Sequence, residues 1–285
     1  MNKRIIIKKL SLILITVTAI GLLSGCGNNA QGTAENKPKE EVKIKVGTTS
    51  DEPRVWDAVG KKLENEGIKI ELVNFANGAN PNQALADGEV DLNAFQHYAY
   101  FNKNIKDLNL DLTAIGDTII VPLNLFSKSI KSVSELKVGS KIGIPNDATN
   151  EGRALIVLQK AGIIKLKEGS GQTPGLADIE SNQLKIEFVE LPGAQLPRSL
   201  NDVNAAIINC GYAVDAGLDL KDDVIFADDV DISSDDYKPY INIIAARTKD
   251  KDNELYKKIV KAYNSDEVKD AIKEVYKGAA LPAWK

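Results

Sequence analysis

Apolar positions change their spacing along the chain, and each change marks a different kind of segment. Leu10–Leu23 is a largely apolar run, residues 27–41 are polar and without period, and from Lys43 short apolar stretches alternate with amphipathic ones. Lys43–Val46 reads as a strand. In residues 53–66, Val55, Trp56, Val59 and Leu63 share one helical face. Ile68–Phe75 alternates as a strand, Asn82–Ala86 reads as a short helix, and Val90–Phe95 as a strand followed by a helix to about Lys106. Leu112–Ile115 and Ile119–Phe126 complete a first group of elements.

A second group opens with a short helix at Val133–Leu136 and a strand at Lys141–Ile144. Asp147 or Thr149 can cap the helix that follows, with Ala154, Leu155, Leu158 and Ala161 on its apolar face and Gly162 as its stop. Strands at Lys185–Leu191 and Ala205–Asn209 flank a helix around Gln195–Leu200. Val224–Ala227 and Tyr240–Ala246 read as strands, and helices are expected over Asn253–Asn264 and Asp266–Tyr276. Strands alternating with helices predict mainly parallel sheets with buried cores. Two such groups, with a tail that returns to the style of the first, predict two lobes joined by more than one crossing. Ile119–Phe126 and Tyr240–Ala246 are the expected crossing strands.

The apolar run at the start changes the picture of where the protein works. Lys3, Arg4, Lys8 and Lys9 precede it without an acidic residue. At about 1.5 Å per residue the run spans about 21 Å, short of the roughly 30 Å hydrocarbon core of a bilayer. That length fits the apolar region of a signal peptide over residues 1–25. Leu23-Ser24-Gly25-Cys26 resembles a bacterial lipobox, which predicts cleavage before Cys26 and lipid attachment to it. Residues 26–42 then form a tether that lifts a folded body off the extracytoplasmic face of the membrane.

Charge and composition narrow the chemistry. The whole chain carries 36 Lys+Arg against 40 Asp+Glu, and removing residues 1–25 with their four cations leaves a charge of −8. An acidic body argues against nucleic acid as a partner. His97 is the single histidine, and Cys26 and Cys210 are the two cysteines, so a His/Cys zinc site lacks ligands. No residue pattern implies a metal or a cofactor, and no Walker loop or GxGxxG turn is present.

In open α/β sheets ligands bind beyond the carboxyl ends of strands. Those ends here are Gly47–Ser50, Phe95–His97, Pro145–Asp147 and Asn209–Tyr212. They supply amides, hydroxyls and aromatic rings, a vocabulary suited to a small zwitterion. Arginine is scarce, five residues against 31 lysines, and Arg153 is expected in the first turn of its helix. A cation is unfavourable at that end of a helix, so its presence there points to a bound anion, and a guanidinium suits a carboxylate; an ion pair with Glu151 or a surface acid is the alternative. Phe95, His97 and Tyr100 cluster as one wall of an apolar pocket, although a lone histidine among aromatics also fits plain packing. Cys210 reads as a buried structural thiol.

Four ordered segments, Asn93–His97, Ile144–Leu155, Gln195–Leu200 and Ala206–Tyr212, resemble those of the NlpA family of methionine-binding lipoproteins that serve ABC importers. The similarity runs from about Lys43 to Trp284. The resemblance implies an α/β clamp of the periplasmic-binding-protein type, each lobe a mainly parallel sheet flanked by helices. Lobe 1 is expected over residues 43–122 and 240–285, and lobe 2 over 123–239. The implied protein is a monomeric binder that passes L-methionine or a related small amino acid to an ABC permease and its ATPase, and it is not an enzyme. By the same resemblance Arg153, Asn150 and Asn209 would hold the head group, and Phe95, His97 and Tyr100 would embrace the side chain. One position departs from the pattern: many members carry a tyrosine three residues before the proline of Pro81-Asn82, where this chain has Gly78. A glycine there opens room for another hydrophobic amino acid or a methionine-containing dipeptide. A catalytic relative on the same plan is the remaining alternative, with His97 as its one candidate base.

Overall fold

The structure, a computed structural model, describes residues 41–50, 52–75 and 79–284. The expected signal peptide, Cys26, the tether up to residue 40, and Gly78 lie outside the described residues. Strand β1 (Val42–Thr48) leads to helix α1 (Arg54–Leu63), and β2 (Ile68–Asn74) to α2 (Pro81–Asp87). The short β3 (Leu92–Asn93) precedes α3 (Tyr98–Leu108), followed by β4 (Leu112–Asp117), β5 (Ile119–Ile120) and β6 (Leu123–Phe126). Next come β7 (Lys141–Pro145), α4 (Ala148–Lys160), β8 (Lys165–Leu166) and β9 (Ile179–Ser181). The chain continues through β10 (Glu187–Leu191), α5 (Leu196–Ser199), β11 (Ala205–Asn209), α6 (Cys210–Asp215) and β12 (Val224–Phe226). It closes with β13 (Ile243–Arg247), α7 (Glu254–Tyr263), α8 (Asp266–Val275) and β14 (Leu281–Pro282).

Two five-stranded sheets share one plan, in the orders β2-β1-β3-β13-β4 and β10-β7-β11-β6-β12. In the first, β2, β1 and β3 pair in parallel, while β13 runs antiparallel to both β3 and β4. In the second, β10, β7 and β11 pair in parallel, and β6 runs antiparallel to β11 and β12. Each sheet is therefore mainly parallel with one reversed strand. That strand is in each case the one reached by crossing from the other sheet: β6 after β4 and β5, and β13 after β12.

Alternation along the central strands gives each sheet two apolar faces. Ile244 and Ala246 of β13 join Val46, Leu92, Val59 and Ile259 on the face covered by α1, α7 and α8. Ile243 and Ala245 turn to Leu85, Val90 and Phe101 on the face under α2 and α3. In the second sheet Ile207 packs with Ile142, Ile144, Leu155 and Leu158 beneath α4, while Ala206 and Ile208 pack with Leu196 and Ala213 beneath α5 and α6.

Several boundaries differ from the sequence pattern. The apolar stretch at Val90–Phe95 contributes only two residues to a ladder, because the chain leaves β3 and re-pairs at His97 with Asn242. Val133–Glu135 is a single 3-10 turn, and Tyr240 ends another, so β13 starts at Ile243. The short β8, β9 and β14 and helix α6 have too few residues to show a period. Among the described residues no helix is long and apolar enough to cross a membrane.

Candidate functional site

The site lies at the carboxyl ends of β3, β7 and β11, where helix amino termini from both sheets meet. Below it, a buried amide network ties α2 to the first sheet. Asn82 Nδ2 donates to Gln96 Oε1 at 2.8 Å, Gln96 Nε2 returns a bond to Asn82 Oδ1 at 2.6 Å, and Asn93 Nδ2 donates to the Pro81 carbonyl at 2.8 Å. These amides hold the Phe95–His97 turn. Backbone bonds from Tyr98 N to Ile241 O (3.1 Å) and from Ile243 N to Gln96 O (3.0 Å) then place His97 beside Tyr240.

His97 is the residue before α3, and its Nδ1 accepts the Tyr100 N–H at 3.1 Å. With Nδ1 an acceptor, the proton of the neutral ring sits on Nε2, which faces Asn150 Oδ1 at 3.3 Å. Burial, with the Arg153 charge second, pushes the imidazole pKa down to about 4, so the ring is neutral at physiological pH. The alternative of plain packing is thus partly met. His97 is 6% exposed, and both its nitrogens serve hydrogen bonds.

Asn150 is the third residue of α4, whose Asp147 cap accepts from the Asn150 N–H at 3.0 Å. The Asn150 side chain is saturated by protein. Its Oδ1 accepts from His97 and from Asn209 Nδ2 (2.8 Å), and its Nδ2 donates to Asp147 Oδ1 and Oδ2 at 3.1 and 2.9 Å. Phe95, His97 and Tyr100 form the expected aromatic group, with Phe95–Tyr100 and His97–Tyr100 edge-on at 6.1 and 6.4 Å between centroids. A fourth ring, Tyr240, meets His97 edge-on at 5.5 Å.

Arg153 is the sixth residue of α4, so it stands in the second turn and not in the first as its spacing had suggested. Its side chain is 4% exposed, and its Nη2 donates to the Val121 carbonyl at 2.8 Å and to Asp228 Oδ2 at 3.1 Å. The guanidinium carbon lies 4.5 Å from the centre of the Tyr240 ring. Arg153 Nε is buried without any hydrogen-bond partner. A buried, unpartnered donor on a cation costs roughly 1–3 kcal/mol or more unless an acceptor reaches it, and an anionic ligand oxygen is suited to do so.

Sequence reasoning missed Asp228, Tyr240 and the Val121 carbonyl. Their contacts with Arg153 span long stretches of chain, 75 residues for Asp228, so no local spacing marks them. Cys210 is fully buried, and burial pushes its thiol up to about 12, as a structural cysteine requires. Among the described residues no group of three His, Cys, Asp or Glu side chains is placed to hold a metal ion.

The family model described as NlpA lipoprotein matches residues 44–284, nearly the whole folded body. The chain belongs to the NlpA lipoprotein family. Among family relatives, the D-methionine-binding lipoprotein MetQ of Salmonella typhimurium is 43% identical over 92% of this chain and 93% of its own. A nutrient-binding protein of Burkholderia cenocepacia, solved bound to methionine, superposes with a TM-score of 0.78 at 41% identity, covering 85% of this chain and 100% of its own. The substrate-binding protein of a methionine transporter from Streptococcus pneumoniae gives a TM-score of 0.78 at 37% identity over 85% of this chain and 96% of that one. The last of these is the substrate-binding protein of a methionine transporter, and the two solved structures share the fold of this chain.

Proposed function

We propose that this family member is a lipid-anchored substrate-binding protein that captures methionine and delivers it to an ABC permease and its ATPase. Residues 43–122 with 240–285 form one lobe and 123–239 the other, and the ligand sits where their strand ends face each other. The single observation that carries this reading is the unpartnered Nε of the buried Arg153, beside the Tyr240 ring and close enough to His97 for its charge to act on the imidazole. Arg153 grips the carboxylate, Asn209 helps hold the head group, and Phe95, His97 and Tyr100 face the thioether. Asn150 fixes His97 and Asn209 in place through its carbonyl oxygen. Sulfur against aromatic rings adds roughly 0.3–1.5 kcal/mol per contact, so pocket shape decides most of the side-chain preference. Cleavage before Cys26 and lipid attachment there hold a monomer at the extracytoplasmic face.

Binding without turnover is the reading the site favours, because both nitrogens of His97 are engaged by protein groups. Calorimetric titration of purified, ligand-stripped protein with L-methionine, D-methionine and Gly-Met tests the assignment. Heat and a raised melting temperature with a methionine compound are expected, and the tightest of the three names the ligand. No signal with any of them overturns the assignment.

A further inference from the structure

Arg153 is backed by a second charged layer. The Asp228 side chain is 1% exposed, and its oxygens are divided between partners: Oδ2 accepts from Arg153 Nη2 at 3.1 Å, and Oδ1 from Lys160 Nζ at 3.3 Å and from the Tyr237 hydroxyl at 2.7 Å, whose one hydrogen is shared with the Asp229 carbonyl at 2.7 Å. Lys160 also donates to the Tyr237 hydroxyl at 2.7 Å while its side chain stays 45% exposed at the rim. The Asp228 N–H donates to Asn124 Oδ1 at 2.9 Å, which anchors the segment after β12 to the buried strand β6.

The consequence for Arg153 is geometric. Both hydrogens of Nη2 are spent, on the Val121 carbonyl and on Asp228, and the Tyr240 ring covers one face of the guanidinium. The group is thereby held at Nη2 and over one face, and Nε is a buried donor without a partner. Two cations around one carboxylate leave a net positive charge of about one, which a single ligand carboxylate neutralises.

We infer that Asp228, locked by Tyr237 and Lys160, is a positioning residue that orients the Arg153 guanidinium and so sets the preference for ligands bearing a carboxylate. This rests on the reading of the site as one for an amino acid. A counter-charge that merely balanced Arg153 would act in the opposite direction: removing it would leave the site more positive and would tighten the hold on an anion. The sign of the effect therefore separates orientation from simple neutralisation.

Asp228→Asn keeps the shape and removes the charge. In calorimetry with L-methionine and L-methioninamide, which lacks the carboxylate, the variant is expected to bind methionine at least about tenfold more weakly. Methioninamide, whose ammonium meets the added positive charge as that of methionine does, should lose less than methionine, so the discrimination between the two narrows. Tighter or unchanged methionine binding, or an equal loss for both compounds, overturns the inference. Should that variant not fold, Tyr237→Phe removes one bond to Asp228 and is expected to weaken methionine alone by about threefold. Unchanged discrimination there overturns the inference as well. A ligand-free reading comes from the Arg153 Nε–H resonance of nitrogen-15-labelled protein. Slow solvent exchange in the parent and loss of that protection in the variant is the expected result, and equal protection in both overturns it. A parent protein with a protected Arg153 resonance that binds neither compound marks a failed methionine assignment instead.

Discussion

His97 Nε2 and Asn150 Oδ1 meet at 3.3 Å, and this contact joins the turn after β3 in one sheet to the first turn of α4 in the other. The donor is a neutral imidazole, because its other nitrogen already accepts the Tyr100 N–H. Protonation would place a buried cation near Arg153, so the contact ties stability to pH.

The sign follows from the direction of the shift. The folded-state value, about 4, lies below the value near 6.5 expected when unfolded, so the unfolded chain binds the proton more readily. Stability from this group is complete above about pH 6.5 and falls as the pH drops toward 4, by about 3 kcal/mol in all. Melting curves of the parent and of His97→Gln across that window should converge at acid pH relative to their neutral difference. Parallel curves would contradict the neutral, buried imidazole.

Arg153→Ala removes the cation proposed to hold the ligand carboxylate and also leaves Asp228 with one fewer partner. A loss of about 2–5 kcal/mol in methionine binding is expected by calorimetry. Arg153→Lys should restore little of it, since one ammonium cannot reach the Val121 carbonyl, Asp228 and a ligand together. Near-parental affinity in the lysine variant would count against this role.

Gly152 lies against the segment after β8, where a β-carbon would stand 2.6 Å from Thr173 Cα. Backbone on one side and α4 on the other leave no flexible atom to yield. Gly152→Ala should destabilise the fold by about 1–3 kcal/mol, read as a lowered denaturant midpoint. The same segment presents the Gln172 carbonyl to the Tyr240 hydroxyl at 3.3 Å, so some loss of ligand affinity should accompany the shift.

Cys210 should be inert in the native protein. Its thiol is fully buried and pushed up to about 12, so at pH 8 a thiolate-directed alkylating reagent should modify it only after unfolding. Mass spectrometry of the Cys210 peptide before and after denaturation checks this. Rapid native labelling would reopen a reactive role.

Much of the architecture was legible in the apolar periods. The face Val55, Trp56, Val59, Leu63 is the buried face of α1, and Asp147 caps α4 as its side chain allows. Both signals are local: a helical stripe is set by residues three and four apart, and a cap by a hydrogen bond three residues on. Pairing of β3 over only two residues was hidden, because the run Val90–Phe95 is as apolar as a strand while Asn93, Gln96 and Asn82 divert it into an amide network.

The candidate site divides along the same line. Phe95, His97 and Tyr100 lie within one turn of chain, so their clustering follows from the sequence order. Asn150 carried a ligand-binding role in the sequence, yet its amide is consumed by His97, Asn209 and Asp147. Residue order alone dictated the strand–helix alternation, the basic-apolar-cysteine start and the placement of Arg153 on α4. Tertiary structure chose which acid, which ring and which carbonyl surround that guanidinium. Val121 lies on one crossing between the sheets and Asp228 and Tyr240 on the other, and only the packing of the two crossings brings these groups to one buried charge. Burial then decides the chemistry, since a cation taken out of water must be met from several directions at once.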